Sequence, residues 1–244
     1  MLTHFFNVLS ITFPEGERFF LDSVRAFRDK VTDPARQKDI SGFIGQEAFH
    51  SKEHLVFNQF LAKQGYSRLV AKAERVSSKL LKGGRLRLTA QEQLAITSAL
   101  EHITAILAKT LLEHPKNLAM IDPQIRDLWL WHAIEETEHK AVAYDLYQDI
   151  TQQRVPEKNT VMVLGTLYLI GFTSYFVWQF LKHDGMTKQP LRMMRGLWRL
   201  AGYKGLLAPA MTEYFRYFRQ DFHPWQDDNS RFLTQAYGLL AKAA

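Results

Sequence analysis

The sequence predicts an all-α protein: four long helices in residues 1–155 form a bundle, and further helices follow in residues 156–244. Three observations predict it. Carboxylates and histidines recur at helical spacing in two separate stretches, Gln46–His54 and His132–His139. Helix-start signals punctuate the chain at Asp33-Pro34, Thr89-Ala90-Gln91-Glu92 and Asp122-Pro123. No run shows the alternation of a strand or the turn residues of a hairpin.

In chain order, Pro14 suits the first position of a helix, with Glu15 and Glu17 in a first turn where carboxylates are favoured. That helix is expected to reach about Lys30. Asp33 and Pro34 restart a helix that carries the QEAFHSKEH stretch to about Gln64, before Gly65. Residues 66–82 read as helical but irregular, broken by Gly83-Gly84. Thr89 opens a helix that carries Glu101 and ends near His114-Pro115. Asp122-Pro123 opens the fourth, which carries Leu128–Tyr147 and fades before Pro156.

Composition narrows the chemistry. Apolar residues make up 46% and charged residues 23%, ordinary values for a globular chain. There is no cysteine, which excludes disulfides, thiolate zinc sites and cysteine nucleophiles. Any metal must be held by His, Asp or Glu, a donor set suited to iron, manganese or zinc. The N-terminus lacks the basic start and small-residue cleavage site of a secretory signal, so a cytoplasmic location is expected.

The four helices supply, in order, Glu17, then Glu47 and His50, then Glu101, then Glu136 and His139. Paired Glu-x-x-His units with two single carboxylates are the means by which helical bundles build dinuclear metal sites. Two cations a few ångströms apart need bridging carboxylates to offset their repulsion, here Glu47 and Glu136. Glu17 and Glu101 would be terminal, and His50 and His139 would bind one metal each. His132, one turn before Glu136, adds a third imidazole. Gln46 and Glu135 directly precede the bridging carboxylates and are placed to orient a ligand imidazole through its other nitrogen. His54 is a candidate for an eighth ligand or for the same supporting role. His102 and His114 read as structural, and Glu138 as a solvated or supporting charge. Glu15 competes with Glu17.

The doubled Glu…Glu-x-x-His pattern resembles the ferritin-like di-iron carboxylate proteins. That resemblance implies a ferritin-like four-helix bundle with additional C-terminal helices, holding two iron ions (manganese or zinc as alternatives). His132, four residues before Glu136, resembles the third histidine of the arylamine N-oxygenases. The strings PEGERFF, QEAFH-x-x-x-H and WH-x-x-EE-x-EHK-x-V-x-Y-D also resemble a bacterial family of predicted metal-dependent hydrolases. Both resemblances cover roughly residues 13–150. The expected function is a dinuclear oxidase or oxygenase that activates dioxygen, with Glu47 and Glu136 central to catalysis and an electron donor as partner. The alternatives are a two-metal hydrolase and a non-catalytic metal-binding protein.

Val161–Leu181 runs 21 residues without a charge, long enough to span a bilayer. Charge is concentrated just beyond it. Residues 182–219 carry eight Lys/Arg against Asp184 and Glu213, whereas residues 1–159 balance to +1. A single crossing would place that basic segment opposite the metal domain, against the positive-inside tendency if the domain is cytoplasmic. A helix that is buried, or that dips into one leaflet on the inner face of the membrane, is therefore preferred. Leu191–Phe218 interleaves Arg and Lys with aromatic residues, which suits an anionic membrane surface rather than nucleic acid. An apolar small-molecule substrate is expected, and a homodimer is an open alternative for the basic face.

Overall fold

A computed structural model describes residues 1–113, 115–151 and 155–243; His114 lies outside them. Every regular element among the described residues is a helix, and no strand occurs among them. The helices are α1 (Leu2–Arg25), α2 (Pro34–Leu61), α3 (Ser67–Arg87), α4 (Ala90–Glu113), the single turn α5 (Pro115–Leu118), α6 (Pro123–His139), α7 (Val142–Thr151), α8 (Val155–His183), α9 (Pro190–Ala201), α10 (Ala210–Arg216) and α11 (Ser230–Ala243).

The start signals act as expected. The Asp33 and Asp122 carboxylates accept from the amides of Ala35 and Gln124 at 3.1 and 2.9 Å. Thr89 and Glu92 close a complete capping box: the Glu92 amide donates to Thr89 Oγ1 at 3.2 Å and the Thr89 amide to Glu92 Oε2 at 2.7 Å. Gly65 turns the chain between α2 and α3 at φ +98°, a conformation that favours glycine.

Three boundaries differ from expectation. Pro14 does not start a helix; α1 begins at Leu2 and Pro14 lies inside it. A proline there removes the amide that would bond the Ser10 carbonyl, a loss made good by the Asn58 side chain, whose Nδ2 donates to Ser10 O at 3.2 Å. The pair Gly83-Gly84 does not break α3, which runs on to Arg87. Glycine costs a helix only about 1 kcal/mol, and the packing of α3 along α1 outweighs that. The fourth helix is interrupted at Lys140-Ala141, directly after His139.

Around the bundle the order is α1, α2, α6, α4, each packed on its neighbours. Two apolar clusters fill its ends. Val8, Ile11, Leu111, Trp129 and Ile134 belong to one, and Phe19, Val24, Phe43, Leu94 and Tyr147 to the other. Between them lies a polar layer in which Glu17, Glu47, His50, Glu101, His132, Glu136 and His139 are all buried.

Residues 156–243 lie against this bundle. The inner face of α8, including Met162, Phe176 and Phe180, is fully buried, and α8 packs on α1 and α4. Three lysines grip the segment around α10. Lys109 pairs with Glu213 at 3.1 Å and Asp227 at 2.8 Å. Lys140 Nζ donates to Asp227 O at 2.6 Å, and Lys158 Nζ to Arg219 O at 3.1 Å. Lys158 is buried with no carboxylate partner among the described residues, its ammonium 4.9 Å from the Tyr217 ring and 5.5 Å from that of Phe222. A buried ammonium is costly unless bonded and faced by aromatic rings. Substituting Lys158→Ala removes both the carbonyl bond and the cation–π contacts. Thermal unfolding should show a loss of about 2 kcal/mol, a fall in Tm of roughly 4–8 °C.

Candidate metal centre

Each of the four bundle helices contributes one carboxylate to the polar layer. Glu17 comes from α1, Glu47 and His50 from α2, Glu101 from α4, and His132, Glu136 and His139 from α6. Their donor atoms fall into two groups, Glu17/His50/His132 and Glu47/Glu101/Glu136/His139, within each of which all donors lie within 4.8 Å of one another. Two carboxylates face both groups. Glu47 Oε1 lies 3.4 Å from His50 Nδ1 and 3.2 Å from His139 Nε2. Glu136 Oε1 lies 3.3 Å from His132 Nε2 and 3.7 Å from His139 Nε2.

The donors fit divalent cations on two counts. Both oxygens of Glu17, Glu47 and Glu101, with Glu136 Oε2, His50 Nδ1 and His139 Nε2, are buried without a hydrogen-bond partner among the described residues. Buried polar atoms are almost always satisfied, so a cluster of unsatisfied acceptors facing one another points to a cation. The charges also match, because four carboxylates balance two divalent ions with neutral imidazoles.

Protonation in the metal-free site follows from burial and mutual repulsion. Burial, and then the neighbouring carboxylates, push Glu17 and Glu101 well above the usual carboxylate range. Burial opposes charge on His50, but its contacts with Glu135 and Glu47 prevail and raise it from 6.5 to about 10. His139 is raised in the same way by Glu101 and Glu136. His54 and His132, pushed down by burial and by the nearby His50, stay neutral.

Each ligand imidazole is held from behind by a different group. Glu135 Oε2 lies 3.0 Å from His50 Nε2, and Trp131 Nε1 donates to Glu135 Oε1 at 2.9 Å. Gln46 Nε2 donates to Glu138 at 3.2 Å, which turns Gln46 Oε1 toward His139 Nδ1 at 3.0 Å. His139 Nδ1 therefore carries a proton that it donates, and Nε2 faces the carboxylates. Glu138 also accepts from Tyr237.

His132 is fixed by a longer chain. The Ser10 carbonyl can only accept, so Asn58 must present Nδ2 to it and Oδ1 to Ser10 Oγ, which donates there at 2.8 Å. Ser10 Oγ, its proton committed, can only accept from His54 Nδ1 at 2.9 Å. His54 Nε2 in turn accepts from His132 Nδ1 at 3.1 Å, leaving the lone pair of His132 Nε2 to face the site. His54 thus stands behind a ligand position, 44 residues from the serine that orients it. His102 is structural in its contacts, bonding the Glu213 carbonyl at 3.2 Å. Glu15 pairs with Arg18 at 2.8 Å, outside the metal layer. The helpers Ser10, Asn58, Trp131 and Tyr237 were not expected from sequence; of these, Trp131 alone carried a signal, four residues before Glu135 on the same helix face.

Two cavities flank the centre. A cleft of about 350 Å³, bordered by Arg36, Phe43, Gln46, Glu138 and Trp225, ends at His139. A small apolar cavity of about 40 Å³ touches His132 from the other side, between Phe6, Leu9, Phe13 and Trp129.

The fold and this layer define the class: an all-helical metalloprotein with buried carboxylate–histidine metal groups. The profile of the predicted metal-dependent hydrolase family matches residues 1–228, and the chain belongs to that family. No curated protein and no solved structure matches the chain. The family corrects the expectation of a dioxygen-activating oxidase or oxygenase. That expectation rested on a carboxylate-rich, thiolate-free donor set and on the resemblance to di-iron proteins, and mixed Glu/His donors serve hydrolytic metal pairs equally well.

Two predictions follow from the geometry. His54→Ala leaves His132 Nδ1 without its acceptor, and Gln46→Ala does the same for His139. Each should weaken one of two metal ions by about 10–100-fold in chelator competition and leave the other within a few-fold. The second concerns pH. Glu17, Glu101, His50 and His139 all hold protons more tightly folded than unfolded, so their stabilisation is complete below their unfolded values and lost as pH rises through the folded ones. His54 and His132 act oppositely, but only below their unfolded value of 6.5. Between pH 6.5 and about 8, above which burial of Lys140 acts in the opposite sense, metal-free protein should lose stability with rising pH. Metal-loaded protein should not, and calorimetry in buffers of different ionisation enthalpy should record proton release on loading.

Proposed function

We propose that the protein is a two-metal hydrolase in which Glu17, His50 and His132 hold one ion and Glu101 and His139 the other, with Glu47 and Glu136 between them. The observation that carries this reading is the pair of adjoining donor groups, whose four carboxylates balance two divalent charges. Iron, manganese or zinc suits the donors. Such ions, when bound, make water nucleophilic near neutral pH and polarise the bond to be cleaved.

The chain's own residues do the rest. Glu47 and Glu136 set the spacing of the two groups. Glu135, Gln46 and His54 keep the donor nitrogens of the three imidazoles turned inward. The cleft at Gln46 and His139 admits the substrate and water, and its polar border suits the scissile group of a small molecule. The apolar cavity beside His132 takes a short apolar substituent and keeps water from that side.

Protein loaded with metal should contain two ions per chain. It should hydrolyse at least one class in a panel of activated ester, amide and phosphoester substrates, with turnover lost to a chelator and restored by metal. Glu47→Gln and Glu136→Gln should each lower kcat by about 100-fold or more while the protein stays folded. Full loading without turnover on any class would refute the hydrolase and leave a non-catalytic metal-binding protein.

A further inference from the structure

Both α4 and the stretch Glu157–His183 of α8 are long and apolar enough to cross a bilayer, yet they face different surroundings. The apolar window of α4 is 72% buried, as expected for a helix that carries Glu101 through the core, whereas that of α8 is only 28% buried. Along the outer side of α8, Leu164, Leu167, Tyr175 and Trp178 are exposed. At 100° per residue they fall on one stripe, about 21 Å long, opposite the buried Met162, Phe176 and Phe180. No charged residue occurs between Lys158 and Lys182.

The next helix has the same excess of apolar surface. On α9, Leu200 is buried and Gly196 packs so tightly that an added Cβ would come 2.7 Å from Met1 Cβ. Those residues make the inner face. Leu191, Met194 and Trp198 form a second apolar stripe that is exposed, and Arg192, Arg195 and Arg199 form a third face beside it. A helix that merely covers a protein core needs one apolar face, and α9 has two.

A further basic row lies along the other edge. Helix α3 carries seven Lys/Arg against the single Glu74. Its Lys72 donates to Tyr175 OH at 2.6 Å, joining α3 to the stripe on α8. Lys79, Lys82, Arg192, Arg195 and Arg199 are exposed and meet no carboxylate among the described residues.

We infer that this face docks on an anionic membrane surface, with the outer stripes of α8 and α9 entering the acyl boundary of one leaflet and the basic residues of α3 and α9 meeting phosphate head groups. Apolar residues flanked by Arg and Lys are the composition of an interfacial surface. The charge also argues against a second copy as the occupant. A two-fold contact centred on the stripe would set each basic row against its counterpart. The inference is independent of the metal chemistry.

Flotation of the full-length protein tests it. With vesicles of phosphatidylglycerol and phosphatidylcholine the protein should float at low salt and be released at high salt, and vesicles of phosphatidylcholine alone should bind it far more weakly. The variant R192Q/R195Q/R199Q should partition about a hundredfold less while keeping its helical circular dichroism and metal content. Brominated acyl chains should quench tryptophan fluorescence in the wild type, and Trp198→Phe should reduce that quenching. A wild type that stays unbound to anionic vesicles at low salt overturns the proposal, as does a triple variant that floats equally well. A stable dimer in sedimentation equilibrium, dissociated by Trp198→Ser, would assign the face to a second copy instead.

Discussion

Four carboxylates buried in one layer of a helical bundle are the constraint on which the rest of this structure depends. An isolated buried carboxylate costs several kcal/mol, and four within a few ångströms repel one another as well. Without metal, relief comes from retained protons on Glu17 and Glu101 and from imidazolium at His50 and His139. Metal replaces those protons. The apolar clusters above and below the layer keep water from providing a cheaper solution. Each helix contributes one carboxylate, so no single helix carries the repulsion.

The same dryness makes hydrogen-bond direction matter. A neutral imidazole offers one lone pair, and it serves a metal only if the proton sits on the other nitrogen. The protein fixes that choice at His132 with a backbone feature: Pro14 takes away the amide that would bond Ser10 O, and the freed carbonyl imposes an orientation on Asn58, Ser10, His54 and finally His132. A proline within a helix, normally a defect, here determines which nitrogen of a side chain four hydrogen bonds away faces the metals. At His139 the amide Gln46 does the same work, anchored on Glu138.

What the sequence disclosed follows from the range of the interactions. The seven residues that the fold gathers into one buried layer were legible because helical spacing within a segment is local, and a repeated Glu-x-x-His is rare by chance. The supporting partners of Gln46 and Glu135 could be guessed only by adjacency, since each meets a histidine on the facing helix. Ser10 carries no signal because Pro14 suits a helix start, which leaves Ser10 outside any helix, and Asn58 shows its role only through Ser10. The basic row on α3 was missed for a different reason. The excess is present in residues 67–87 themselves, but the near-zero sum over residues 1–159 masks it, and only the fold sets it beside the exposed apolar stripe of α8.

Donor spacing also says less about reaction than about place. Carboxylates and imidazoles that fit one pair of divalent ions fit several, so the ligands alone do not choose the chemistry. What chooses it is access. Here the side at His139 opens into a cleft of mixed lining that includes Arg36, Gln46 and Glu138, while the side at His132 closes on Phe6, Phe13 and Trp129. Among the described residues, the first side is the one that offers water and a polar group a way to the layer. In the proposed hydrolase the residues that border this cleft, Arg36, Glu138 and Trp225 among them, would orient a bound substrate rather than the ligands themselves. Selectivity in this fold belongs to residues whose spacing carries no motif.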